Sequence, residues 1–151
     1  MFFLVTTLVT TKGGMLERER KCVMVVDEAL PAGLAANAAG VLAFTLGREV
    51  DFAVGPSVLD GSGLRHAGIT RIPIPVLRAD GETLRRLRSE AAETDLLAVD
   101  FTDAARSSKT YEEYERKLAA RETGELAYLG LALYGERKAV ERLTGSLPLL
   151  R

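Results

Sequence analysis

The chain has 151 residues, a length at which one domain with a single hydrophobic core is expected. Apolar residues make up 47% of it and charged residues 27%, which excludes a chain that is disordered over most of its length. The net charge of −1 excludes a strongly basic nucleic-acid-binding protein. One cysteine and one histidine exclude a disulfide framework and a zinc site built from these residues, and we expect no metal.

An apolar segment opens the chain and ends at a pair of glycines. Met1–Thr11 reads MFFLVTTLVTT, without the leading basic residues of a signal peptide. It is also shorter than the roughly 20 residues that span a bilayer. Gly13 and Gly14 separate it from a charged run that ends at Arg20. We therefore expect residues 1–20 to be a loosely ordered extension, residues 21–151 to form a single α/β domain, and the protein to be cytoplasmic and away from membranes.

Strand and helix signals alternate after this segment. Cys22–Val26 is a continuous apolar run rich in β-branched residues, which predicts a strand buried on both faces. A turn follows, and then a helix from about Leu34 to Leu46, with Gly47 placed to end it. Phe52–Gly55 predicts a short strand, and the glycines of Asp60–Gly63 indicate a turn.

Two prolines decide where the next strand lies in the sheet. Arg71–Leu77 alternates with the period of a strand, and Pro73 and Pro75 occupy alternate positions in it. Alternate residues direct their N–H groups to the same edge, so both prolines remove a donor from one edge. The pattern therefore predicts an outer strand whose free edge is unpaired.

The second half of the chain continues the alternation. A helix is predicted over Glu82–Glu93, with an inward stripe of Leu84, Leu87 and Ala91. The remaining elements are a strand at Leu96–Phe101, a helix opened by a capping box at Thr110 with Tyr111, Tyr114 and Leu118 on one face, a strand at Leu126–Tyr134, and a last helix with Ala139, Val140 and Leu143 inward. This order is typical of an α/β layer fold.

Asn37 is the only polar side chain between Leu34 and Phe44, in a helix otherwise rich in small residues. An unpaired buried amide costs about 1–3 kcal/mol, so we expect Asn37 to have partners. Either it braces a neighbouring backbone turn, which composition favours, or it faces a ligand in the crevice between strand and helix.

Polar residues also follow two of the predicted strands. Asp27 comes after the first buried strand, and Thr102 and Asp103 come after the third. Carboxylates at the carboxyl ends of strands commonly bind ligands in α/β folds, because the crevice opens there. Asp103 is equally suited to capping a turn at Ala104, whereas Asp100 lies inside the strand, which favours a structural role.

His66 lies in a glycine-rich loop and is a candidate acid or base, although bracing the loop is the favoured interpretation. Cys22 enters a buried strand, where a thiol behaves as an inert small apolar group. The chain contains neither GxxxxGK[ST] nor GxGxxG, so we expect no nucleotide cofactor bound by such loops, and no other cofactor is indicated.

The order of several motifs resembles type-2 peptidyl-tRNA hydrolases. Lys21–Asp27 and Leu30–Ala39 (LPAGLAANAA) resemble the opening strand and helix of that family, Val99–Arg106 resembles its Asp-Ala-Gly segment, and Leu131–Leu150 its closing strand and ending. A closer resemblance, carried by Asp60-Gly61, His66-x-Gly68-Ile69 and Ile74–Leu77, is to a bacterial family of domains of unknown function that shares the hydrolase fold. The resemblance implies a three-layer α/β/α domain with a small mixed sheet.

The chain departs from the hydrolases at the turn before the first helix. That turn carries lysines in the family, one of them catalytic, whereas Gly33 and Leu34 stand here, and Asn37 replaces a glutamine. Without the lysines, attraction of tRNA phosphates and electrophilic help for the ester are lost. We therefore expect no strong nucleic-acid binding.

The resemblance and its departures together predict a non-hydrolase module that binds an unknown small molecule or a partner. The expected crevice is lined by Asp27, Gly33, Asn37, Thr102 and Asp103. One alternative is a divergent hydrolase in which Asp103 orients water and Asn37 holds the carbonyl. Another is a homodimeric scaffold that uses the small-residue helix face or the exposed edge of Arg71–Leu77.

Overall fold

The computed structural model of the chain describes residues 19–151, and most of the predicted N-terminal extension lies outside this range. The strands are, in chain order, Arg20–Asp27 (β1), Val58–Leu59 (β2), Arg65–His66 (β3), Val76–Ala79 (β4), Leu97–Thr102 (β5) and Tyr128–Glu136 (β6). The helices are Ala32–Glu49 (α1), Gly81–Ala92 (α2), Asp103–Arg106 (α3), Tyr111–Ala119 (α4) and Arg137–Thr144 (α5), with a 3-10 turn at Thr123–Glu125.

A four-stranded mixed sheet in the order β4-β1-β6-β5 forms the centre of the fold. β4 is parallel to β1, whereas β6 is antiparallel to both of its neighbours, β1 and β5. The strands β1, β4 and β5 therefore run in one direction, and their carboxyl ends lie at the same edge of the sheet. Helix α1 covers one face, and helices α2, α4 and α5 cover the other.

Strand β1 is buried on both faces, as the sequence predicts. Val23 and Val25 pack with α2 and α5 on one face, while Cys22, Met24 and Val26 face α1. All five side chains are at most 3% exposed. Both hydrogen-bonding edges are occupied as well, because β4 and β6 pair with it on opposite sides.

Helix α1 is longer than predicted. It continues through Gly47 to Glu49, and Val50 N–H still donates to Leu46 O at 2.9 Å. Gly47 therefore does not end the helix. Leu46 before it and Val50 after it are both buried and four residues apart, so packing outweighs the low helix propensity of glycine.

The edge strand β4 begins only after Pro75, whose carbonyl accepts a hydrogen bond from Met24 N–H at 3.0 Å. The predicted position at the edge of the sheet is confirmed, but the prediction of an unpaired edge is wrong. Arg78 N–H donates to Pro148 O at 3.0 Å, and Leu150 N–H donates to Val76 O at 2.9 Å. The C-terminal segment thus covers the outer edge of β4 at Val76 and Arg78, whereas Pro75 faces β1 on the other edge.

Residues 51–71, which we call the arm, extend from the end of α1. The predicted strand at Phe52–Gly55 is reduced to a single bridge between Val54 and Thr70, and β2 and β3 pair farther out. Gly68 is required in the arm because a Cβ atom there would collide with the backbone of Gly55.

The other predicted helices agree with the structure in most respects. Leu84, Leu87 and Ala91 of α2 are buried, as is Val140 of α5. At α4 the Thr110 hydroxyl accepts from Glu113 N–H at 3.2 Å, but the Glu113 carboxylate accepts from Lys109 N–H, so the capping box is incomplete. Tyr111 is exposed, in contrast to Tyr114 and Leu118. Among the helices of residues 19–151, none combines the length and apolar character that a bilayer-spanning segment needs.

Gly130 of β6 sets how closely α1 approaches the sheet. A Cβ atom there would lie 3.1 Å from Leu42 Cδ1 and 3.6 Å from Ala38 Cβ. We expect Gly130→Val to lower the free energy of unfolding by about 1–3 kcal/mol, because the larger side chain forces the helix away from the sheet. Urea unfolding measures this loss. The control Gly40→Ala lies where α1 has open space, and should raise stability by about 0.5–1 kcal/mol. Equal stability of the valine variant and the native chain would contradict this account of the packing.

Candidate functional site

The predicted crevice lies at the edge where β1, β4 and β5 end. Val26 of β1 and Phe101 of β5 both pair with Gly130, so Asp27 and Thr102 follow at the same level of the sheet. They belong to strands on opposite sides of β6, and neighbouring strands are roughly 4.8 Å apart. The edge therefore brings these two residues to one side of the molecule, but not into one cluster.

Asn37 is exposed rather than buried, so the expectation that its amide needs buried partners is wrong. The buried face of α1 carries Ala35 and Ala38, and Asn37 is 200° around the helix from Ala35 at 100° per residue. Gly33 is likewise exposed in the first turn of α1. The Asp27 carboxylate accepts a hydrogen bond from Ala29 N–H at 2.9 Å and so closes the turn after β1.

Asp103 joins three parts of the chain. Its Oδ2 accepts from Arg121 Nη1 at 2.8 Å, and its Oδ1 accepts from Ala127 N–H at 3.2 Å. Its own N–H donates to Ala127 O at 3.0 Å. The hydrogen bond from Arg121, supported by the one from Ala127, holds the pKa of this carboxyl below its usual range. Asp103 thus links the end of β5 to Arg121 and to Ala127, the residue before β6.

Thr102 is 1% exposed, and its hydroxyl is the one buried side-chain polar atom in residues 19–151 without a hydrogen-bond partner. A buried hydroxyl in this condition costs about 1–3 kcal/mol. The missing hydrogen-bond partner of Thr102 is the one feature of the predicted crevice that the packing of residues 19–151 does not account for.

His66 lies on the arm, away from the sheet edge. Its Nε2 is 3.0 Å from Asp60 Oδ2, and Asp60 Oδ1 accepts from Ser62 and Leu64 N–H at 2.8 and 3.0 Å. The contact with His66, together with these backbone donors, lowers the pKa of Asp60. This geometry suits a histidine that braces the turn of the arm, and a catalytic role for His66 or Asp103 remains a prediction.

Two adjoining grooves lie at the opposite end of the sheet, where β1 begins. The first, which we call the cationic groove, has a volume of about 150 Å³ and is lined by Arg20, Lys21, Cys22, Arg71, Ile72, Pro73, Pro75 and Arg137. The second, the apolar groove, has a volume of about 190 Å³ and is lined by Cys22, Ala43, Leu46, Gly47, Val50, Ala53, Val54, Thr70, Ile72, Ile74 and Tyr134. Cys22 and Ile72 line both grooves, so they meet.

The fold explains why this end of the sheet is open. Helix α1 ends at Glu49, and the chain then enters the arm, which returns at Ile72. The gap between the end of α1 and the returning arm is the apolar groove. Cys22 lies beneath it, and burial raises the pKa of its thiol to about 11, so the thiol is neutral at physiological pH.

Sequence reasoning missed these grooves. Their cations come from β1, the arm and α5, and no local spacing connects residues so far apart. The only sequence signal for a groove at this position was the pair Pro73 and Pro75. Strand β4 begins only after Pro75, and both prolines line the cationic groove. No three histidine, cysteine, aspartate or glutamate side chains within residues 19–151 come close enough together to hold a metal ion.

Comparison with known proteins identifies a family and a fold. The model of a family described as "protein of unknown function (DUF2000)" matches residues 20–151. The chain is also similar to a solved structure of a protein of unknown function from Agrobacterium tumefaciens strain C58, with 19% identity and a TM-score of 0.82 over 88% of this chain and 98% of that one. No curated protein is significantly similar to the chain. The predicted resemblance to a bacterial family of unknown function is confirmed.

Replacing Asp103 should destabilise the fold, whereas replacing the exposed Asn37 should not. Asp103→Ala should lower the free energy of unfolding at neutral pH by about 1–2 kcal/mol, because it removes hydrogen bonds to Arg121 and Ala127 from a partly exposed site. Asn37→Ala, at an exposed position, should change it by less than about 0.5 kcal/mol. Urea unfolding of both variants measures the two effects.

The difference in unfolding free energy between the native chain and Asp103→Ala should depend on pH. Because the folded-state pKa of Asp103 is lowered, its carboxylate stabilises the fold above the ordinary value of about 3.9. This contribution is lost as the pH falls through the folded-state pKa, so the native chain and Asp103→Ala should converge in stability in acid. A constant difference across that range would contradict the assignment.

Proposed function

The chain belongs to the DUF2000 family of proteins of unknown function, and we propose that it is a small-ligand-binding module rather than a hydrolase. The observation that carries this proposal is the pair of grooves that meet at Cys22 and Ile72. Small-molecule sites are typically apolar clefts with a few polar groups at one end. The two volumes together reach the lower end of the roughly 300–1,000 Å³ usual for such sites.

We also propose that the fold is related to that of type-2 peptidyl-tRNA hydrolases and that the protein acts in the cytoplasm. A four-stranded mixed sheet with helices on both faces is the architecture that the resemblance implies. The free, buried thiol of Cys22 suits a reducing compartment.

The alternative of a divergent hydrolase receives less support. The Asp103 carboxylate already accepts hydrogen bonds from Arg121 and Ala127 on its two oxygens, which leaves it poorly suited to orient water. The crevice of Asp27, Gly33, Asn37, Thr102 and Asp103 is kept as a second candidate binding position. The unpaired, buried hydroxyl of Thr102 is the observation that favours it.

A homodimeric scaffold is a second candidate function, favoured by apolar side chains exposed on the arm and on α1. Phe44 is 88% exposed, Phe52 77% and Ile69 80%. Phe52 also has a φ of 65°, a backbone conformation that a bulky residue rarely adopts. Exposed apolar groups that form one patch are typical of a surface that binds a partner, and we propose that these three do so. Of the two surfaces expected for a dimer, the small-residue helix carries the exposed Phe44, whereas the edge at Arg71–Leu77 is less suitable because the C-terminal segment pairs with β4.

Sedimentation velocity tests the scaffold. We expect the native chain to be a dimer and the Ile69→Ser variant to be a monomer, because the polar side chain removes apolar area from the interface. A native chain that stays monomeric at every concentration would contradict this candidate, and would leave ligand binding unaffected.

A pair of glycines in α1 offers a matched test of ligand binding. Gly47 lines the apolar groove and Gly40 lines neither groove, yet a Cβ atom at either position meets nothing within 4 Å. Both substitutions to leucine replace an exposed helical glycine and should stabilise α1 similarly. Gly47→Leu alone should fill the groove.

The probe is the neutral, apolar fluorescent dye phenylnaphthylamine, whose emission rises on transfer from water to an apolar site. We expect the native chain and Gly40→Leu to bind the dye equally, and Gly47→Leu to bind it at least about tenfold more weakly, the equivalent of roughly two buried methylene groups. Equal binding by all three proteins, or by none, would contradict the proposed site.

A further inference from the structure

Four basic side chains surround the cationic groove: Arg20, Lys21, Arg71 and Arg137. Within residues 19–151, no carboxylate contributes to its lining. The chain as a whole has a net charge of −1, so this excess of positive charge is local and does not reflect composition.

Within residues 19–151, the two carboxylates next to the groove, Glu141 and Glu136, are fewer than its four cations. Glu141 is shared by two of the cations, with its Oε1 3.2 Å from Lys21 Nζ and 3.4 Å from Arg137 Nη1. The Arg20 guanidinium lies over the ring of Tyr134, 5.7 Å from its centre, and Glu136 is its neighbour across the strand pair. Arg71 forms no ion pair with any residue of the described part of the chain.

The floor that joins the two grooves is uncharged. Ile72 is apolar, and the Cys22 thiol is neutral because burial raises its pKa to about 11. A ligand can therefore extend from the cationic groove into the apolar groove without meeting a negative charge on the shared floor. The walls beyond, at Leu46, Val50 and Ile74, are aliphatic.

On this charge distribution we propose that the ligand is an amphiphile: its anionic head group, a carboxylate or a phosphate, lies in the cationic groove, and its short alkyl chain fills the apolar groove. Planar guanidinium groups match either head group with paired hydrogen bonds. The apolar groove contributes about 0.8 kcal/mol for each methylene it buries. This inference rests on the proposed function, because it assigns a ligand class to the same site.

Four ligands with one alkyl chain test the head group by isothermal titration calorimetry at low ionic strength: octanoate, octyl phosphate, octanol and octylammonium. At least one anion should bind about tenfold or more tightly than octanol, and octylammonium should bind most weakly. The tighter of the two anions identifies the head group. Octanol binding as tightly as both anions would overturn the assignment of an anionic ligand.

Two arginine variants test whether the anionic head group binds in the cationic groove. Arg71→Gln should weaken binding of the preferred anion about tenfold and leave octanol binding unchanged, because only the head group meets this side chain. The control Arg116→Gln removes the same charge from α4, outside both grooves, and should change neither affinity. Equal weakening by both variants would show a long-range charge effect and overturn the inference.

The outcomes separate this inference from the proposed function. Octanol binding that Gly47→Leu abolishes, with no preference for anions, would leave the small-ligand site standing and remove its anionic specificity. Absence of binding by all four ligands and by phenylnaphthylamine would overturn both.

Discussion

The burial of β1 on both faces is the constraint on which the rest of the structure depends. A strand in this position must alternate its side chains between two apolar layers, and it does so with Val23 and Val25 on one face and Cys22, Met24 and Val26 on the other. Each layer then needs its own cover, which α1 supplies on one side and α2 with α5 on the other. At the beginning of β1, Cys22 packs with Leu46 near the end of α1 and also lines the two grooves that lie between this end of the helix and the arm.

The sequence predicted those elements whose apolar pattern is unambiguous. The continuous apolar run of β1 indicates burial on both faces, and the leucine stripe of α2 indicates one buried face. Helix α1 was harder, since alanine and glycine on every side leave its buried face undefined, and Asn37 was assigned to the wrong side. The covered edge of β4 was not predictable from Pro73 and Pro75, because the covering residues lie more than 70 positions later in the chain.

The candidate binding positions also differ in how far the sequence could predict them. Asp27, Thr102 and Asp103 were found because they follow strands, but two of them satisfy their carboxylates within the fold. The proposed groove is built from side chains of β1, the arm and α5, which only the folded chain brings together. The general tendency of α/β folds to bind ligands at the carboxyl ends of strands therefore points to one end of this sheet, whereas its cavities and positive charge favour the other.

The central claim is that the ligand site lies at the beginning of β1 rather than at the carboxyl ends of the strands. Chemical-shift mapping of the isotopically labelled protein, titrated with octanoate, tests it most directly because it reports on both positions in one experiment. The account predicts shifts at Leu46, Val50 and Ile72, with Asp27, Thr102 and Asp103 unchanged. Shifts confined to those last three residues would contradict it and assign binding to the crevice at the opposite edge.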